Sequence, residues 1–91
     1  MSYWVYMVMC ADGTLYTGIA TDVPRRLAEH NGCKPKGARY TSARRPVRLV
    51  YQAAFANRSE ASREERRIKQ LTRAEKTRLI ADTRVPDVLP A

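Results

Sequence analysis

Cysteine, histidine and glycine are scarce in this chain, and each shortage removes a class of explanation. Two cysteines and one histidine among 91 residues are too few for a disulfide-stapled secreted fold or a structural zinc site, which draw on several such side chains at framework spacings. Cys10 and Cys33 are therefore read as reduced, with Cys10 part of the packing. Four glycines form no phosphate-cradling loop, and neither a zinc signature nor a GxSxG elbow is present. No apolar run is long enough to span a bilayer. The opening residues MSYWVY lack the basic region ahead of an apolar stretch that marks a signal peptide. A cytoplasmic location with no membrane attachment is expected. The length suits one domain, residues 1–81, followed by a frayed tail, 82–91, and a hydrophobic fraction of 44% suits a globular chain.

Acidic residues are also unevenly spread. None occurs between Asn31 and Ser59, a stretch that carries Lys34, Lys36, Arg39, Arg44, Arg45, Arg48 and Arg58. The whole chain has a formal net charge of +8 and a pI near 10.1. Solubility alone does not require charge segregated by sign. A one-signed basic stretch favours a polyanionic partner, most simply nucleic acid.

Tyr3 to Cys10 is apolar or aromatic throughout, as in a strand covered on both faces. Ala11-Asp12-Gly13 is a turn signal, and Leu15 to Ile19 returns as the partner strand. A two-residue Asp12-Gly13 loop would place Tyr6 and Tyr16 on opposite faces. A three-residue loop with Gly13 in the left-handed position of a bulge pairs Cys10 with Thr14 and puts both tyrosines on the even face. The second arrangement is expected, because the odd face then carries Val5, Met7, Met9, Leu15 and Ile19. Asp22 should cap a first helix with Pro24 in its first turn, Leu27 and Ala28 facing the sheet, and Asn31-Gly32 ending it. A basic loop, Gly32 to Arg45, follows. Val47 to Phe55 reads as a third strand with Val47, Leu49, Tyr51, Ala53 and Phe55 on one side. Ser59 is expected to cap a helix reaching about Leu71, with Ala61, Ile68 and Leu71 towards the core. Thr72-Arg73-Ala74-Glu75 has the form of a capping box opening a last helix to about Ala81. The expected fold is α+β: a small three-stranded, mainly antiparallel sheet flanked by helices, in the order β-β-α-β-α-α.

What remains for chemistry is a dispersed set: Tyr6, Tyr16, Arg26, His30 and one glutamate from the helix after the third strand. Singly, each has a plainer explanation. Strand tyrosines usually pack with a wet hydroxyl, a histidine near a helix C-terminus complements the dipole, and Glu64 or Glu65 pairs with nearby basic residues. Together they suit phosphodiester hydrolysis. A phenol or imidazole can manage the proton of an attacking water, a guanidinium can hold phosphate oxygens, and a lone carboxylate with several waters anchors Mg²⁺. Helical pattern alone does not choose between the glutamates.

Val5-Tyr6-Met7 and Tyr16-Thr17-Gly18 resemble the two halves of the GIY-YIG nuclease signature. Arg25–Asn31 (RRLAEHN) resembles the helix that follows it, and Glu64–Lys76 (EERRIKQLTRAEK) resembles the Glu-x-x-Ile-Lys segment of small single-domain members. The match runs to about Ile80. It is nearest to the short bacterial branch related to the N-terminal domain of the third component of the bacterial excinuclease. The first motif departs from the pattern in reading Val-Tyr with no preceding glycine, but keeps the tyrosine. The resemblance implies a GIY-YIG endonuclease fold with Tyr6, Tyr16, Arg26, His30 and Glu65 as catalytic residues. Tyr6, phenolate-like and helped by His30 or Tyr16, would act on the attacking water, and Arg26 would hold the scissile phosphate. Mg²⁺ or Mn²⁺ on Glu65 would support the leaving 3′-oxygen. Gly18 would let the phosphate backbone approach, and Lys34, Lys36, Arg39, Arg44 and Arg45 would bind flanking phosphates. The implied activity is metal-dependent cleavage of DNA, with RNA as the other substrate and room for a protein partner that supplies specificity. The rival is a non-catalytic nucleic-acid-binding module on the same fold.

Overall fold

A computed structural model describes residues 2–32 and 44–82. Strands β1 (Tyr3–Met9) and β2 (Leu15–Ala20) lead into helix α1 (Val23–His30). Strand β3 (Arg48–Phe55) is followed by helices α2 (Arg58–Lys69) and α3 (Arg73–Asp82). The sheet has the order β2-β1-β3, and both pairings are antiparallel. This is the α+β architecture that the sequence predicts. The basic loop positions Lys34, Lys36 and Arg39, Cys33, and the tail from residue 83 lie outside the described residues.

The hairpin turn has the expected form. The Gly13 amide donates to the Cys10 carbonyl at 2.9 Å, the Cys10 amide donates to the Thr14 carbonyl at 2.8 Å, and Gly13 has a φ of +85°. That conformation is open to glycine and strained for other residues. The resulting register pairs Tyr6 with Gly18 and Val8 with Tyr16, so the two tyrosines are diagonal neighbours on one face. Asp12 reinforces the turn by accepting from the Thr14 amide at 3.0 Å and the Thr14 hydroxyl at 2.6 Å.

Each sheet face has its own core. On the odd face Val5, Met7, Val50, Tyr51, Ala61 and Ile68 are buried together, with Leu79 and Ile80 of α3 packed against them. On the even face Tyr6, Val8, Cys10, Val23 and Val47 are buried, flanked by Tyr16 and Leu27. Strand β3 departs from simple alternation. Met7 pairs with Tyr51 but Val8 pairs with Leu49, so Val50 is an inserted residue. The bulge sends Tyr51, Ala53 and Phe55 to the odd face but Val47 and Leu49 to the even one. A one-residue insertion reverses the facing of everything beyond it.

Two local expectations are corrected. Helix α2 is capped by Asn57, whose side chain accepts from the Glu60 amide at 2.9 Å, so Ser59 lies inside the helix. Ala28 is exposed, and the inward side of α1 is formed by Val23, Leu27, Glu29 and His30. Asp22 caps α1 and accepts from the Arg25 amide at 3.1 Å. The Thr72–Glu75 capping box closes reciprocally at 2.8 and 3.1 Å.

Candidate active site

Tyr6 and His30 meet inside the even face. The phenol oxygen lies 2.7 Å from His30 Nε2, and both residues are almost wholly buried, 2% and 0% exposed. The contact exists because β1 directs Tyr6 towards α1 and the last turn of α1 directs His30 back at the sheet. Tyr16 completes the cluster from β2. Its ring centroid lies 5.2 Å from that of His30, edge to face, and 6.5 Å from that of Tyr6. Gly18 makes this geometry feasible. A Cβ there would come within 2.7 Å of the Tyr6 Oη and 2.9 Å of its Cζ. Where the sequence suggests that Gly18 gives room to a phosphate, the structure shows the Tyr6 ring using that space.

Electrostatics fixes the resting protonation of the pair. Burial pushes the Tyr6 phenol up to about 12; the charges of Tyr16 and Glu65 push the same way, while a hydrogen bond and the charge of Arg26 pull it down. Burial, then the positive charges of Arg26 and Arg45, press the His30 imidazole down to about 4 against the pull of Glu29. Both groups are therefore neutral at physiological pH. In the Nδ1–H tautomer of the neutral imidazole, Nε2 accepts from the phenol across this 2.7 Å contact. Phenolate character at Tyr6 therefore belongs to the reaction, with help from a neighbour, and not to the resting site.

Arg26 reaches Tyr6 from α1. It is held by Glu29, whose Oε1 accepts from the Arg26 guanidinium at 2.9 Å and whose Oε2 lies 3.4 Å from Arg25 Nε. Glu29 is a residue that the sequence reading misses, although its spacing of three and four residues from the two arginines is the signal for such pairs. Helix α2 packs against β1 and β2 and brings Glu65 close enough to Tyr6 for its charge to oppose loss of the phenol proton. Glu65 Oε2 also lies 3.1 Å from Lys69 Nζ, with its side chain 25% exposed. Glu64 is committed elsewhere. Arg67 contacts both its oxygens at 2.8 and 2.6 Å, and the Tyr51 hydroxyl donates to it at 3.3 Å. The Arg67 hydrogen bond holds the Glu64 carboxyl below its usual range.

The end of α1 is fastened independently. The Asn31 side-chain amide donates to the Val47 carbonyl at 3.0 Å and accepts from the Val47 amide at 2.7 Å. Arg45 Nε donates to the His30 carbonyl at 2.8 Å and its guanidinium covers Gly32. Arg44 lies 3.1 Å from Asp12 at the hairpin turn. Of the five basic residues expected to bind flanking phosphates, Arg44 and Arg45 thus carry contacts within the folded chain; Lys34, Lys36 and Arg39 lie outside the described residues. Asn31, read from sequence only as a helix stop, proves to be a joint between the end of α1 and Val47, the residue that leads into β3.

Among the described residues no three His, Cys, Asp or Glu side chains converge as a metal cage. Among the described residues, Glu29 is engaged by Arg25 and Arg26, and the carboxylate that acts on the Tyr6 phenol is that of the partly exposed Glu65. That fits a hard cation such as Mg²⁺ or Mn²⁺, which keeps most of its waters and takes one or two protein carboxylates together with substrate oxygens.

Comparison with known proteins places the fold. The model of the GIY-YIG catalytic domain matches residues 2–78. A UPF0213 protein of Desulfotalea psychrophila is 56% identical over 79 residues, covering 87% of this chain and 71% of the relative. A UPF0213 protein of Staphylococcus aureus is 51% identical over 81 residues, covering 89% and 96%. The solution structure of a UPF0213 protein from Bacillus halodurans superposes with a TM-score of 0.61 at 43% identity, covering 94% of this chain and 89% of that one. With the match extending over nearly the whole chain, the protein belongs to the GIY-YIG family.

Proposed function

We propose that the protein is a metal-dependent endonuclease that hydrolyses phosphodiester bonds in DNA, with RNA as the other candidate substrate. The observation that carries this reading is the buried Tyr6–His30 hydrogen bond of 2.7 Å, with Arg26 and Glu65 acting on the same phenol. A fold needs neither a desolvated phenol–imidazole pair nor an arginine and a carboxylate gathered around it, whereas phosphoryl transfer to water uses each of them.

In the proposed reaction, Tyr6 passes its proton to His30 and so turns an oxygen lone pair towards an attacking water. Because the phenol is weakly acidic and the imidazole weakly basic in the resting site, proton movement through the pair belongs to the transition state. The water becomes acidic as it attaches to phosphorus; its proton passes to the Tyr6 oxygen as the Tyr6 proton passes to His30 Nε2. Tyr16, packed edge-on against His30, keeps water out and the imidazole in position. Arg26 pairs with the phosphate oxygens and stabilises their added charge, with Glu29 fixing the guanidinium until substrate arrives. Glu65 would hold Mg²⁺ or Mn²⁺, which when bound supplies Lewis-acid stabilisation of the leaving 3′-oxygen. Lys34, Lys36, Arg39, Arg44 and Arg45 would meet flanking phosphates, and a protein partner could supply the specificity that so small a domain lacks.

The test is an assay of labelled single-stranded, duplex and branched DNA, plus RNA, with Mg²⁺ or Mn²⁺. Wild type and Glu64→Ala are expected to cut; Arg26→Ala and Glu65→Ala are expected not to. Binding without metal-dependent cutting on every substrate would sink the nuclease and leave a binding module. Cutting that survives Glu65→Ala but not Glu64→Ala would move the metal to Glu64.

A further inference from the structure

Arg58 belongs to two concavities at once. The first, about 400 Å³, lies between α1 and the start of α2 and is lined by Thr21, Asp22, Arg25, Arg26, Glu29 and Arg58 among others. The second, about 570 Å³, runs along the outer side of α2 and is lined by Arg58, Ser59, Ser62, Arg63 and Arg66. The acidic groups of the first are already engaged. Asp22 caps α1, and Glu29 is shared between Arg25 and Arg26. Among the described residues no acidic side chain lines the second.

Position along the helix gives this surface a direction. Arg58, Ser62 and Arg66 recur at four-residue intervals and so line one side of α2 over about 12 Å. Glu65 stands three residues beyond Ser62, so the carboxylate assigned to the cation borders the same stripe. The α2 sequence, RSEASREERRIK, hides this arrangement because its charges nearly alternate. Folding separates most of them: Glu64 turns to Arg67 and Tyr51, and Glu65 to Lys69 and the Tyr6 site, while Glu60 shares a third concavity with Arg63 at the far edge of the stripe. The exposed arginines are left on the outer side.

We propose that Arg58, Ser62, Arg63 and Arg66 form a phosphate track that takes the strand flanking the scissile phosphate as it leaves Arg26. This rests on the nuclease reading and assigns the path of its substrate to α2. Guanidinium forks and serine hydroxyls suit phosphate oxygens. Contacts from these guanidiniums and hydroxyls to phosphate oxygens fix the path of the strand and carry no sequence information. An acidic peptide or an anionic lipid surface would meet the same charges, but neither accounts for a stripe that adjoins the Arg26 concavity through Arg58 and borders Glu65.

The experiment measures binding of fluorescent single-stranded and duplex DNA in EDTA across a salt series. Wild type is compared with Arg58→Gln/Arg66→Gln, Arg58→Lys/Arg66→Lys, and Arg73→Gln/Arg78→Gln on α3, which removes the same charge at exposed positions elsewhere. The first pair should weaken binding about tenfold or more and flatten the log–log salt slope by about 1.4 to 1.8, the value for two lost phosphate contacts. The lysine pair should keep the slope, and the α3 pair should leave it within about 0.3 of wild type. Equal losses in the α2 and α3 glutamine pairs, no loss in either, or retention on phosphatidylserine vesicles matching that on DNA would each overturn the track. If wild type binds with this signature yet cuts nothing, the track stands and the nuclease reading falls. If it cuts while the slope ignores Arg58 and Arg66, the nuclease stands and the track falls.

Discussion

Val5 and Met7 leave one face of β1 to pack among Ala61, Ile68 and Tyr51, while Tyr6 leaves the other to meet His30, Tyr16 and Arg26. The first set is held by apolar burial, which is non-directional and tolerates repacking within a fixed volume. The second is held by hydrogen bonds to the Tyr6 phenol, by ring contacts among Tyr6, Tyr16 and His30, and by charges acting at short range, all of which need particular atoms at particular distances. Successive residues of a single strand therefore serve two kinds of order. Damage to the odd face should appear as lost stability, and damage to the even face as lost chemistry.

The largest effect that would break this division is expected at Ile68, which is 0% exposed. Ile68→Ala should cost about 2–5 kcal/mol of stability by denaturant titration, with the cleavage rate of the remaining folded protein little changed. Arg26→Ala should do the reverse: a fall of about 10²- to 10³-fold in cleavage rate, with the unfolding midpoint almost unmoved. Gly18→Ala should register on both scales. The new methyl displaces the Tyr6 ring at a cost of about 1–3 kcal/mol and breaks the bond to His30, so cleavage should fall although no catalytic group is deleted. If Gly18→Ala cuts normally, the Tyr6–His30 pair is not the centre of the chemistry.

A smaller effect follows from His30. Its folded pKa, about 4, lies below the ordinary 6.5, so the unfolded chain binds a proton first. Stability from keeping His30 neutral is full above about pH 6.5 and is lost as pH falls towards 4, with a slope approaching 1.4 kcal/mol per pH unit. Denaturant titrations at pH 7, 6 and 5 should show this slope, and His30→Gln should flatten it. Glu64→Ala should give the smallest change. Its pairing with a half-exposed Arg67 is worth about 1 kcal/mol or less, and cleavage should persist.

The unbroken apolar run of β1, the Ala11-Asp12-Gly13 turn and the Thr72–Glu75 box are legible in the sequence because each is a local signal with a local cause. The bulge at Val50 is not, since an inserted residue between two apolar neighbours leaves the hydrophobic pattern intact. The Asn57 cap is missed because Ser59, two residues later, is an equally good capping residue on local grounds. The candidate site shows the same divide. Tyr6, Tyr16, Arg26 and His30 announce themselves by motif and spacing, but the protonation of the Tyr6–His30 pair depends on burial created by α1 against the sheet. Glu64 and Glu65 are neighbours at the edge of one apolar stripe, and only the positions of Tyr51, Arg67 and Tyr6 in three dimensions separate their tasks.

The amide of Asn31 gives Val47 what a neighbouring strand would give it, one donor and one acceptor at 2.7 and 3.0 Å. His30, the residue before it, is thereby referenced to β3, while Tyr6 stands on β1 and Tyr16 on β2. The cluster is triangulated from all three strands, and loosening any one of them removes a coordinate. Such a site cannot outlast the sheet that defines it. A partly opened chain would still carry its basic charge and still meet nucleic acid, but it would hold no assembled phenol–imidazole pair, and its chemistry would switch off before its affinity did.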